Sequence, residues 1–130
     1  WGFLPLAWSS RCFTARHYNL PKDNCEFRCI KHPDGMTLRS RESQELFRIN
    51  GISTLSGSRY DLMRELPEME RMGVSTIRLS PELQGMDGVV KRFDRMRCGE
   101  VPSTDPLQLV EAPPCNGYWY GKPGMDLVGL

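Results

Sequence analysis

YDLMRELPEMERMGVSTIRLS, residues 60–80, carries the change of hydrophobic period on which the fold reading turns. Leu62, Met63, Leu66, Met69 and Met72 recur at helical spacing, with charged residues between them. Asp61 stands where a side-chain oxygen caps a first turn, and Gly73 where a left-handed residue ends a last one. The methionines read as core packing, and Glu65, Glu68 and Glu70 with Arg64 and Arg71 as a solvated face. Residues 74–80, VSTIRLS, then alternate as a strand and stop at Pro81.

Outward from there the pattern repeats. Residues 86–96 return to helical spacing, with Val89, Val90, Phe93 and Met96 on the apolar side. Upstream, GFLPLAWS (2–9) reads as a buried strand, and Ser9 or Ser10 can cap a short helix through CFTARHY. Residues 22–35 form a loop, with one helical turn across NCEFRC and a turn at HPDG. Short extended runs follow at 36–39, 45–49 and 52–55, the last two joined by the hairpin signal Asn50-Gly51. Strands alternating with helices predict a parallel α/β sheet bearing short β-hairpins.

Beyond residue 98 the chain is irregular, with Pro102, Pro106, Pro113 and Pro114, and it finishes in CNGYWYGKPGM. The aromatics Tyr118, Trp119 and Tyr120 suit covering a core edge better than stacking on a ligand. At 130 residues the chain is at most one domain, here 1–130. It opens on an apolar run without Met or a signal-peptide pattern, so the expectation is a fragment of something longer. A fragment of a barrel leaves strand edges bare.

Net charge of +1 excludes a strongly basic nucleic-acid binder, and no apolar window is long enough for a membrane span. GxGxxG, Walker, HExxH and GxSxG patterns are absent, so phosphate-loop, zincin and hydrolase-elbow chemistry find no motif.

The chemistry concentrates in residues 11–41, which hold Cys12, Cys25 and Cys29 and both histidines, His17 and His32. Five cysteines is an odd count, against a closed disulfide framework, and a cytoplasmic chain keeps its thiols reduced. Cys25 and Cys29 stand four apart, so a helical turn would aim both sulfurs one way. Seven basic residues in this span face three acidic ones, a surround that stabilises thiolates and an anionic cluster. Three uses remain open. Zinc would take the trio with His17 or His32. An iron–sulfur cluster would need a fourth thiolate from Cys98, Cys115 or elsewhere. A nucleophilic Cys12 would need His17 as its base. Standing alone, Cys98 and Cys115 read as small buried hydrophobes.

RCFTARHYNLPKDNCEFRCIKHPDGMTLRSRE (11–42), LFRINGISTLS (46–56) and CNGYWYGKPGM (115–125) resemble the ubiquinone-biosynthesis members of the collagenase-like peptidase superfamily. The resemblance covers essentially the whole chain, as the C-terminal part of a longer protein. It implies the C-terminal portion of a TIM-barrel-like domain with a cysteine-bearing loop insertion. It further implies that Cys12, Cys25 and Cys29 are three ligands of a [4Fe–4S] cluster whose fourth ligand lies outside this chain; Cys98 and Cys115 are not carried over. The implied role is oxygen-independent hydroxylation of the ubiquinone ring. The implied partners are a sister iron–sulfur subunit, UbiU, in a heterodimer, and a lipid-binding accessory protein, UbiT, with prephenate as oxygen source. The alternatives are a zinc-stabilised interaction module and a peptidase, although the chain offers no hydrolytic dyad.

Overall fold

The structure, a computed structural model, describes residues 1–100, 109 and 111–129. The irregular run expected through Pro102 and Pro106 lies outside the described residues. The chain divides into two compact units, one of Phe3–Arg59 with Ala112–Pro114, the other of Trp1–Gly2, Tyr60–Glu111 and Cys115–Leu130.

Among the described residues, five strands make one sheet: β1 (Gly2–Trp8), β2 (Met36–Arg39), β3 (Glu45–Asn50), β4 (Ser53–Tyr60) and β5 (Pro114–Cys115). Their order is β1-β4-β3-β2, and β5 also pairs with β4. The mixed α/β class is as expected, and β3 and β4 pair antiparallel as the hairpin signal between them predicts; β2 also pairs antiparallel with β3, so these strands do not make the predicted parallel sheet. The two-residue link Gly51-Ile52 permits β3 and β4 nothing else, since parallel neighbours need a crossover of a dozen residues or so. The turn falls one residue beyond the expected Asn50-Gly51, because Asn50 closes β3 opposite Ser53, and Gly51 takes its first position at φ +60°. Phe47 faces Leu38 on one side and Ser56 on the other, and the β2–β3 register slips between Leu38 and Arg39. β1 is a strand as expected but not a buried one, because it ends the strand order: Leu6 is 44% and Trp8 67% exposed.

Within this first unit, two buried arginines share one aromatic ring. The guanidinium carbons of Arg48 and Arg59 lie 4.5 and 5.3 Å from the Phe3 centroid. Arg48 also pairs with Glu45 at 3.5 Å, which offsets part of the cost of burying its charge.

The second unit is built on α2 (Leu66–Arg71) and α3 (Met86–Arg97). Leu66, Val89 and Phe93 form its core, with Trp1, Met63, Met69, Leu79, Met86 and Met96 packed around them. The predicted helix over 60–72 is shorter than its apolar pattern. A 3₁₀ turn, Met63–Glu65, precedes α2, because Pro67 has no N–H to give and suits a first helical turn. Asp61 Oδ1 accepts the Met63 N–H at 2.9 Å, and Gly73 leaves the helix at φ +84°, both as expected. Met72 and Val90, placed on apolar faces by spacing, are instead 66% and 50% exposed.

Residues 74–80 do not form the predicted strand. A strand is defined by its partner, and the backbone bonds at this segment are few. Val74 N–H donates to Met69 O, Ser80 N–H to Trp1 O, and the Trp1 ammonium to Arg78 O. Glu65 also departs from its expected solvated face: it is buried, and its Oε1 accepts the Tyr120 hydroxyl at 2.8 Å. Among the described residues no helix is long and apolar enough to cross a membrane.

Gly57 sets the closest approach in the sheet. A Cβ there would lie 2.5 Å from the Glu45 carbonyl oxygen and 2.8 Å from the Leu46 carbonyl carbon, so β3 backbone would have to move. Gly57→Ala is therefore expected to lower the stability of the folded chain by about 1–3 kcal/mol in urea unfolding. An unchanged midpoint would show that the two strands separate freely there.

Candidate functional site

The cysteine segment folds from local capping and turns. Cys12 itself caps α1 (Phe13–His17), its Sγ accepting the Ala15 N–H at 3.4 Å. The serines predicted for that role do otherwise: Ser9 Oγ accepts the Arg11 N–H, and Ser10 O accepts Lys22 Nζ. After Pro21 comes one 3₁₀ turn, Lys22–Asn24, then Cys25, then a second, Arg28–Lys31, which contains Cys29. Glu26 and Phe27 between them are both left-handed, at φ +52° and +50°. Two consecutive residues of that hand cannot lie in a right-handed helix. The expected helical turn across NCEFRC is thereby replaced by a reversal, and its argument for parallel sulfurs goes with it. The HPDG turn forms as predicted, with Gly35 N–H donating to His32 O at 2.9 Å.

Cys12, Cys25 and Cys29 are free thiols, each half-buried, and all belong to the first unit. Cys98 is a free exposed thiol, and Cys115 a free thiol only 1% exposed. The hydrophobe reading thus holds for Cys115 and fails for Cys98. α1 packs against the 3₁₀ turn that bears Cys29. At that junction the Tyr18 hydroxyl and His32 Nε2 share a 2.6 Å hydrogen bond, and His17 meets both rings edge-on. The Arg28 guanidinium lies over the Tyr18 ring and pairs with Glu26 at 2.5 Å.

Among the described residues, no three His, Cys, Asp or Glu side chains are grouped so as to hold a metal ion. The structure therefore places the trio in one unit without gathering it into a metal cage. In kind, the donors fit a thiolate-ligated cluster: soft sulfurs, one of them already accepting a backbone N–H, with arginine nearby. The second unit contains a cavity of about 570 Å³ lined by Leu66, Met69, Ile77, Leu79, Val90 and Phe93 with Glu70, Asp94 and Arg97. No cysteine lines it.

Sequence reasoning missed Tyr18, which no motif marks, and treated His32 and Arg28 only as a spare ligand and a background charge. No single helix or strand spans the fourteen residues from Tyr18 to His32, so only the fold reveals them as a pair. No protein-family model matches the chain, and no solved structure matches it.

Burial, then the nearby Asp61 charge, pushes the Cys115 thiol above its ordinary value. The folded state thus favours the neutral thiol. That contribution is full below the unfolded thiol's pKa of about 8.5 and is lost as pH rises through the higher folded value. Tyr60, raised mainly by burial, and Tyr120, raised by its hydrogen bond to Glu65, act the same way from about pH 10 upward. Unfolding midpoints measured from pH 7 to 10 are expected to fall above pH 8.5, and Cys115→Ala to flatten the first part of that fall. The same slope in both proteins would place its origin elsewhere.

Proposed function

We propose that this chain is the C-terminal part of a UbiV-type iron–sulfur protein, required for oxygen-independent ubiquinone biosynthesis. In this reading it belongs to a TIM-barrel-like domain and works in the cytoplasm. UbiU is its sister subunit in a heterodimer, with UbiT as lipid-binding accessory, in hydroxylating the quinone precursor. Support comes from the resemblance at residues 11–42, 46–56 and 115–125. The observation that carries most is that three free, half-buried thiols lie in one compact unit. They sit within a span of seven basic and three acidic residues.

Cys12, Cys25 and Cys29 would supply three ligands of a [4Fe–4S] cluster, with the fourth from outside this chain. Such a group, when bound, supplies one-electron chemistry at a potential set by its charge, its hydrogen bonds and its solvent exposure. The chain's own residues act on those variables. Ala15 N–H holds the Cys12 sulfur by a 3.4 Å hydrogen bond. Arg28, fixed by Glu26 and the Tyr18 ring, keeps a positive charge next to the loop of Cys25 and Cys29.

Full-length protein purified without oxygen is expected to contain about four iron and four sulfide per chain, with a broad band near 400 nm. Cys25→Ala should remove most of both. Zinc without iron or sulfide would replace this reading with a structural zinc module, and cleavage of a labelled peptide would replace it with a peptidase.

A further inference from the structure

The loop that carries Cys25 and Cys29 lacks the usual means of staying in place. Its two large apolar side chains face outward, Phe27 72% and Ile30 78% exposed. No residue of either 3₁₀ turn is buried. A segment with so little apolar burial opens locally at low cost unless polar contacts hold it. Resting on the reading of Cys12 and Cys29 as ligands, we infer that Tyr18 and His32 are positioning residues: their hydrogen bond clasps the turn bearing Cys29 to the helix that Cys12 caps.

Each ring is tied to one of the two segments. Tyr18 follows α1 directly, and its N–H donates to Ala15 O at 3.1 Å, so its ring moves with the Cys12-capped helix. His32 closes the second 3₁₀ turn, its N–H donating to Cys29 O at 2.9 Å, so its ring moves with Cys29. The 2.6 Å bond between the hydroxyl and Nε2 joins those two bodies across fourteen positions of chain. The surrounding groups steer it. His17 stands edge-on to Tyr18 at 5.0 Å and 89°, and to His32 at 6.5 Å and 88°. The Arg28 guanidinium, 5.4 Å from the Tyr18 centroid, ties that ring to the left-handed reversal through Glu26. Arg28 and His32 thus both reach Tyr18 from the loop side, and Glu26 holds Arg28 there. The loop is held by a polar and aromatic contact instead of a core.

The test reads local opening in iron-free, reduced, full-length protein, as site-resolved iodoacetamide labelling by mass spectrometry. Tyr18→Phe keeps the ring under Arg28 and loses only the hydroxyl. It and His32→Ala are expected to raise labelling of Cys29 about fivefold, the scale of one net hydrogen bond. His32→Gln places an amide acceptor near Nε2 and should restore labelling to within about twofold of wild type. Cys115, buried in the other unit, should not change in any variant. Unchanged Cys29 labelling in Tyr18→Phe overturns the inference, as does parallel acceleration at Cys115, which would mean global unfolding. In the iron-loaded protein, Tyr18→Phe should also release iron to a chelator faster than wild type. A wild-type protein devoid of iron and sulfide sinks the cluster assignment instead, and the labelling comparison still decides the clasp because it uses no metal.

Discussion

Backbone pairing along β4 is the constraint from which the rest of the sheet follows. This strand pairs with β3, with β1 and with β5. Ser56 and Gly57 are small where β1 and β3 come close. Ser56 is buried and accepts the Leu4 N–H at 2.9 Å while donating to Ser58 O at 2.7 Å, so a hydroxyl completes what the β1 ladder leaves open. Gly57 admits the carbonyl of Glu45 at a distance no side chain would allow. Apolar burial adds little here. Buried serines and arginines mean that this unit is held by polar groups and one shared aromatic ring more than by a large core.

Local signals in the sequence were legible wherever one residue's own conformational preference decides the outcome. Gly51, the turn at His32–Gly35, Asp61 and Gly73 all do what their chemistry dictates, and the helix over 86–96 appears as Met86–Arg97. Signals failed where the outcome depends on a distant partner. The alternation of VSTIRLS matches a strand, yet alternation describes a side-chain pattern and supplies no neighbouring backbone. In the opposite direction, Ser-Gly-Ser at 56–58 reads as the end of a strand but lies inside β4, where Ser56 bonds the Leu4 N–H and Gly57 admits the Glu45 carbonyl. Glu65 was hidden for a related reason. Its charge fits a solvated helix face, and only Tyr120, fifty-five residues away, explains why it is buried.

The cysteine segment divides the same way. Spacing and charge singled out Cys12, Cys25 and Cys29, and the structure keeps all three as free thiols in one unit. The geometry between them was not legible. Helical spacing of Cys25 and Cys29 gave no hint that Glu26 and Phe27, neither of them a residue that favours φ > 0, reverse the chain between them. Such backbone conformations are sparsely populated, and they persist where surrounding contacts over-determine them. Here those contacts are the Glu26–Arg28 pair and the stack of Arg28 on Tyr18.

Asn116 has a consequence for the chemical durability of the protein. Its side-chain amide copies a peptide rung, Oδ1 accepting the Val128 N–H at 2.7 Å and Nδ2 donating to Val128 O at 3.0 Å. Asparagine is thermolabile, and when glycine follows it, ageing proceeds by attack of the glycine nitrogen on that amide. At 116–117 the attacking nitrogen is occupied, since Gly117 N–H donates to Asp126 O, and the amide is pinned on both sides. The second such dipeptide, at 50–51, has an exposed asparagine on a hairpin tip. Slow deamidation would begin at that tip, while the bond whose conversion would set a new carboxylate beside Glu65 is shielded by the fold.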